Sequence, residues 1–274
     1  MNSTPLSCPV CRSPLFKKEN TYKCEKNHSF DIAKSGYTNL YLNFSAKDVG
    51  DNAVLSNARA EFLSKGYYGH LLLELTRIFT EHAKDINDYR FVDAGCASGY
   101  YTGGIFNALK NVTSASAFGF DLSLYSLKRA AKSEKEISFF LSNIFSLPLF
   151  DSSVDAVLSC FCPISESEFS RILKKDGLLA VVSPASDHLF ELKRAVYETP
   201  YENEEKTPLI PGFSLIKTEK TTSLVTLKEN EDVLNLFKMT PYFYNTSETD
   251  KNKLLSVEAL KTTASFIINI YRKN

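Results

Sequence analysis

The chain has no excess of charge of either sign, since Lys plus Arg and Asp plus Glu both number 32 in 274 residues. Without bulk positive charge it is no strong nonspecific nucleic-acid binder, and any affinity for RNA needs a local basic patch. Long apolar runs are also missing. The longest, such as Ala156–Cys160 and Gly177–Val182, fall far short of the roughly 20 residues that cross a bilayer. The N-terminus has neither the basic nor the apolar region of a secretory signal. The expectation is a cytoplasmic protein with no membrane partner. A third absence concerns glycine. A dinucleotide fingerprint across "DAGCASGYYTGG" needs glycine where Gly95, Ala97 and Tyr100 stand, and only the first is present. No phosphate-loop lysine follows that turn, so neither a dinucleotide nor a phosphate tail is the expected ligand there.

What is present begins with cysteine. Three of the six fall within the first 24 residues, and in a cytoplasmic chain metal and core roles are expected before disulfides. Cys8-x2-Cys11-x12-Cys24-x3-His28 supplies three thiolates and one imidazole at the spacings of a closed tetrahedral zinc site, and four protein ligands make the site structural rather than catalytic. Leu15 and Tyr22 read as the apolar patch of a hairpin joining the ligand pairs. The segment Asp31–Leu42, with a turn at Gly36, is expected to add a short strand to this module. Lys17, Lys18, Lys23, Lys26 and Lys34 are its local positive charge. A linker around Gly50 separates a zinc-binding module, residues 1–47, from a larger domain, residues 48–274.

The larger domain opens with two helices near Val54–Ser64 and Tyr68–His82, parted by Gly66. From Tyr89 the pattern alternates: "YRFVDAG" and a helix over Tyr100–Leu109, "SASAFGFDLS" and a helix over Leu124–Lys132, "ISFFLSN", "VDAVLSCF" and a helix over Glu166–Leu173, then "GLLAVVSP". Such units predict an α/β fold, a Rossmann-like parallel sheet with helices on both faces. Ligands of these sheets bind at the carboxyl ends of the strands. There Asp93 ends the first strand before the small residues Gly95, Ala97, Ser98 and Gly99, and Asp121 ends the second. Small residues let a ligand approach the backbone. Two carboxylates suit the ribose hydroxyls and the positive sulfonium and ammonium of S-adenosylmethionine.

With "CPVC", Cys24 and His28, "HSFDIAKSGYTNL", "DVGD", "DAGCASGYYT", "GFDLS", "SPASDHLFELK" and "MTPYFY" in this order, the chain resembles the 23S ribosomal RNA (guanine-N1)-methyltransferases along nearly its whole length. The resemblance implies zinc held by Cys8, Cys11, Cys24 and His28. It implies a cofactor pocket that includes Ala97, Ser98 and Asp121, with Tyr68 as an aromatic lid and His188 after the fifth strand. In this fold Asn143 and Ser159 end the third and fourth strands, facing the adenine and the methyl-transfer centre. The activity implied is S-adenosylmethionine-dependent methylation of guanine N1 in 23S ribosomal RNA, with a homodimer as the expected assembly. No catalytic base is assigned. This chain departs from the family's pattern at Ala97, usually glycine, at Ser98, usually an acid, and at Ala60, where an arginine pair would continue from Arg59. Two other readings stand beside this one: a small-molecule methyltransferase on the same scaffold, and a non-catalytic zinc-module RNA-binding adaptor. Cys160 and Cys162 also invite a nucleophilic role, against which plain core packing is the commoner use of a cysteine ending an apolar strand.

Overall fold

The computed structural model describes residues 4–42 and 50–274. Its N-terminal part is a three-stranded antiparallel ribbon of β1 (Leu15–Lys18), β2 (Thr21–Cys24) and β3 (Ser29–Asp31), with β2 in the middle. Alternation sets its two faces. Leu15 and Tyr22 are buried, whereas Phe16, Lys17, Lys18 and Lys23 face solvent. The next strand, β4 (Thr38–Asn39), meets the ribbon, as expected, through one antiparallel bridge, Thr38 with Ile32 just after β3, but its main pairing lies elsewhere. It pairs in parallel with Phe140 and Leu141 at the edge of the large sheet. That edge offers a longer apolar partner than a three-residue ribbon strand, and it buries Leu40.

Helices α1 (Ala53–Ser64) and α2 (Gly69–Ala83) follow. The Asn52 side chain caps α1 by accepting the Leu55 N–H at 3.1 Å, and Gly66, at φ 76°, makes the left-handed turn between the helices. Then come β5 (Tyr89–Ala94), α3 (Tyr100–Leu109), β6 (Ala115–Asp121), α4 (Leu124–Ser133), β7 (Ser138–Leu141), β8 (Val154–Cys160), α5 (Glu166–Ile172) and β9 (Leu173–Pro184). The last third holds α6 (Phe190–Val196), β10 (Phe213–Leu227), α7 (Asn230–Lys238), α8 (Tyr242–Asn245), α9 (Glu248–Lys253) and β11 (Leu260–Lys273).

The large sheet runs β10-β11-β9-β8-β5-β6-β7-β4. It is parallel from β4 to β9. The sequence reading did not foresee the two long C-terminal strands, which are antiparallel: β11 pairs with β9, and β10 with β11. The chain winds outward from β5 to β7, then returns to β8 on the other side of β5, so the order reverses between β5 and β8. Crevices open at such switch points. All seven residues of β8 are buried, as expected for a strand covered on both faces.

One core, with Leu71, Leu75 and Phe79 of α2 against Phe91, fills one face of the sheet. The second core joins Val92, Phe118 and Phe140 to Leu6, Leu15, Tyr22 and Leu40. The zinc module therefore shares a packed layer with the large sheet. Ser7 N–H donates to Pro148 O at 2.9 Å and Phe150 N–H to Pro5 O at 2.9 Å. The Tyr22 ring meets Phe140 edge-on at 5.3 Å, and its hydroxyl lies 3.2 Å from Ser138 Oγ. The expected division between residues 47 and 48 lies outside the described residues.

Candidate active site and zinc centre

The four predicted metal ligands converge. The ligand atoms of Cys8, Cys11, Cys24 and His28 all lie within 4.8 Å of one another. Cys11 Sγ is 3.7 Å from Cys24 Sγ, and His28 Nδ1 is 3.6 Å from Cys8 Sγ and 3.4 Å from Cys24 Sγ. A tetrahedron with arms of ~2.3 Å has edges of roughly 3.8 Å, so these separations fit a zinc ion held by three thiolates and one imidazole. Each ligand pair sits on a knuckle. Arg12 N–H reaches back to Cys8 O and Asn27 N–H to Cys24 O, with Arg12 and Asn27 in the left-handed region at φ 59° and 65°. The backbone N–H of Ser13 points at Cys11 and, chiefly by that bond, pulls its thiol pKa down to about 6.

At the carboxyl ends of β5, β6 and β8 lies a cavity of about 770 Å³, within the usual size range for small-molecule sites. Of the sequence-predicted residues, Tyr68, Asp93, Gly95, Ala97, Ser98, Asp121, Asn143 and His188 line it. Gly99 does not. A Cβ there would meet Ala130 and Phe139 at 3.1 and 3.2 Å, because this glycine starts α3 and faces α4 and β7. Ser159 is also absent from the lining; it is buried, with its hydroxyl 3.2 Å from Cys162 Sγ.

The turn after β5 is a run of left-handed residues: Gly95 at φ 84°, Ala97 at 45° and Gly99 at 79°. Asp121 holds it. Its Oδ2 accepts the Ala97 N–H at 2.8 Å and its Oδ1 the Ser123 N–H at 2.6 Å, so the acid ending the second strand also shapes the turn after the first. Asp93 is nearly fully buried. Its Oδ2 accepts the Thr102 hydroxyl at 2.6 Å, and its Oδ1 has no partner. Burial penalises the charged form and lifts its pKa to about 7, aided by the Asp121 charge and opposed by Thr102. Burial raises Asp121 as well, against the pull of the Ser123 and Ala97 amides. An orphaned buried carboxylate oxygen in a small-residue cradle fits a ligand that carries a cationic N–H donor.

The opposite wall is aromatic. Tyr68 is buried, edge-on to Phe62 at 5.1 Å and Phe266 at 4.8 Å, and in this structure it is part of the packed wall. His188 Nδ1 accepts the Ser265 N–H at 3.2 Å. Burial, with the nearby Lys193 charge, depresses its pKa to about 3. The neutral ring therefore carries its proton on Nε2 and presents a donor. Burial favours the thiol form of the two neighbouring cysteines, raising Cys160 well above its ordinary value and Cys162 to about 12.

Sequence reasoning missed several lining residues: Asp51, Arg59, Phe161, Asn203, Tyr242 and Tyr244. Two signals could have found some of them, since "DVGD" holds Asp51 and "MTPYFY" holds Tyr242 and Tyr244. Gly50, at φ 80°, brings the first loop so close that a Cβ would stand 2.6 Å from Ser123 N. Ser123 Oγ then donates to Asp51 O at 2.9 Å, and the Asp51 carboxylate pairs with Arg59.

Residues 6–42 match the zinc-ribbon family described as "RlmA, N-terminal", and residues 86–240 match the family described as "Methyltransferase domain". The 23S rRNA (guanine(748)-N(1))-methyltransferase of Streptomyces fradiae is 31% identical over 234 residues, 84% of this chain and 81% of its own. YxjB of Bacillus subtilis (strain 168) is 26% identical over 275 residues, 97% of this chain and 96% of its own. Among solved structures, the YcgJ protein of Bacillus subtilis superposes with a TM-score of 0.48 at 13% identity, covering 73% of this chain and 98% of its own. Among the described residues no helix is long and apolar enough to cross a membrane. A four-ligand ribbon packed on a methyltransferase sheet, matched along both parts, places the chain in the 23S rRNA (guanine-N1)-methyltransferase family.

Proposed function

We propose that this chain transfers a methyl group from S-adenosylmethionine to N1 of a guanine in 23S ribosomal RNA, in the cytoplasm. The observation that carries this reading is the orphaned Asp93 Oδ1, buried in a cavity at the switch point of a sheet from this family. When bound, the cofactor supplies an electrophilic methyl on a sulfonium. Asp93 accepts from its ammonium, the backbone of Gly95, Ala97 and Ser98 lies along its methionine portion, and Asp121 uses its remaining lone pairs for the ribose. Asn143 contacts the adenine. Tyr68 and His188 close the far wall and exclude water, which keeps acceptor and methyl in line.

His188 orients by donation from Nε2 and does not take the guanine proton, because its Nδ1 is already occupied. Buried Cys160 and half-buried Cys162, both with raised thiol pKa, speak against a covalent pyrimidine-type route. For the RNA, Lys17, Lys18, Lys23, Lys26 and Lys34 are all exposed, and among the described residues none forms an ion pair. They are local positive charge on a chain whose net charge is zero, interspersed with the exposed acids Glu19, Glu25 and Asp31. A homodimer accords with exposed Leu215, Ile216 and Leu224 on the outermost strand, β10.

Mass-spectrometric comparison of 23S ribosomal RNA from cells with and without the protein tests the reaction. A new 1-methylguanosine in its presence supports the proposal. Calorimetric binding of S-adenosylmethionine with no change in the RNA points to the small-molecule methyltransferase, and no binding at all points to the adaptor.

A further inference from the structure

At the cavity mouth three large aromatic side chains stand open to solvent: Phe145 after β7, Phe161 after β8 and Tyr244 in α8. Phe161 has the least ordinary backbone. It lies at φ 56°, a conformation that costs a bulky side chain and that glycine or asparagine would adopt more easily. Its N–H is tied to Val182 O at 3.2 Å. The following residue pins the bend across the end of β5: Cys162 Sγ lies 2.8 Å from Ala94 O, and its Cβ would touch a Cβ on Gly95 at 2.9 Å.

Strand pairing fixes where this bend falls. Ala94 at the end of β5 lies opposite Ser159 in β8, so Phe161 sits beside the turn that cradles the proposed cofactor. The Phe161 ring rests on Phe266 at 5.5 Å, tilted by 55°, yet the residue remains 47% exposed. One side of the ring is thus supported by the core while the rest is open at the cavity mouth. A residue present only to fill the core would not need a strained bend that leaves half of it in water.

We infer that Phe161 is the platform on which the target guanine stacks after leaving the RNA stack. This rests on the function proposed above. A ring nitrogen buried in RNA structure cannot reach a methyl donor inside a cavity, so the base must turn out of its stack and lose its neighbours. An aromatic face at the cavity mouth replaces them. Because every base has a π-face, Phe161 contributes affinity and orientation, and discrimination of guanine belongs to other groups.

The test uses full-length protein, 23S ribosomal RNA from cells lacking it, and three variants. Phe161→Ala and Phe161→Gly should lower kcat/KM for RNA on the order of ten- to a hundred-fold, with unchanged calorimetric affinity for S-adenosylmethionine. Phe161→Tyr should keep near wild-type rates. Phe161→Gly also relieves the left-handed backbone, so its melting temperature should hold or rise. The inference is overturned if Phe161→Gly methylates RNA like wild type. It is equally overturned if Phe161→Gly and Phe161→Tyr both lose stability and cofactor binding together, as a purely structural role requires. Failure of the wild-type protein to form 1-methylguanosine would instead remove the function on which the inference rests.

Discussion

The zinc ribbon and the cofactor turn are both built from tight left-handed bends, but different forces hold them. At the ribbon's two ligand knuckles the left-handed positions are Arg12 and Asn27, and metal ligation offsets the cost of those bends. In the turn they are Gly95, Ala97 and Gly99, and the carboxylate of Asp121, from another strand, holds the middle one through the Ala97 N–H. A site closed by its own ligands can be encoded in twenty-odd consecutive residues. One that must stay open for a ligand borrows its rigidity from elsewhere in the fold.

The largest effect should come from breaking the ribbon. Structural zinc sites supply on the order of 10 kcal/mol of binding free energy, and this one shares a core layer with Phe140 and Leu149. Cys24→Ser, or chelation, should lower the melting temperature of the whole chain by about 10 °C or more. Calorimetric affinity for S-adenosylmethionine should change far less. An unchanged melting temperature would mean that the ribbon is not part of the core layer.

Asp121→Ala attacks the other region, with the opposite pattern. Losing the ribose contacts and the anchor of Ala97 should weaken S-adenosylmethionine binding about a hundred-fold, on the order of 2 to 3 kcal/mol, while zinc content stays at one per chain. Wild-type affinity in this variant would detach the turn from the cofactor.

A smaller effect separates the regions by pH. Burial raises the Asp93 pKa to about 7, and only the ionised form attracts a cation. Affinity for S-adenosylmethionine should therefore fall as pH drops through 7, roughly ten- to thirty-fold between pH 7.5 and 5.5. In Asp93→Asn, binding should be weak throughout and lack this slope.

The smallest effect concerns Ala97, where the family usually has glycine. Ala97→Gly removes a Cβ from a left-handed position at φ 45° and should stabilise the chain by about 0.5–1 kcal/mol. A melting temperature raised by ~2 °C, with cofactor affinity retained, would show that Asp121 already imposes the bend. A drop in stability would show that the bend is not strained.

Much of the molecule was legible in the sequence because its signals are local. Cys8, Cys11, Cys24 and His28 satisfy one ion at fixed spacings, and the strand and helix periods from Tyr89 to Pro184 each report burial of their own segment. Gly99 was misplaced because a glycine looks the same whether it admits a ligand or, as here, the ring of Phe139. Strand β10 was missed because it is a largely exposed edge whose inward positions are mostly polar, such as Glu219, Thr221 and Ser223, and β11 because its apolar run follows the alternating units and pairs antiparallel with β9. Arg59, Phe161 and Asn203 carry no motif of their own.

By itself, the sequence determined the metal ligands, the alternating α/β order and the two acids that end neighbouring strands. Each follows from coordination geometry or from the periodic burial of a single element. Only the tertiary structure decided that β4 belongs to the large sheet, that Asp121 shapes the turn after Asp93, that Tyr68 is a wall, and that Phe161 opens onto the cavity. These depend on the pairing of residues far apart in the chain. Such pairing is set by the competition of whole surfaces for burial, which no short stretch records.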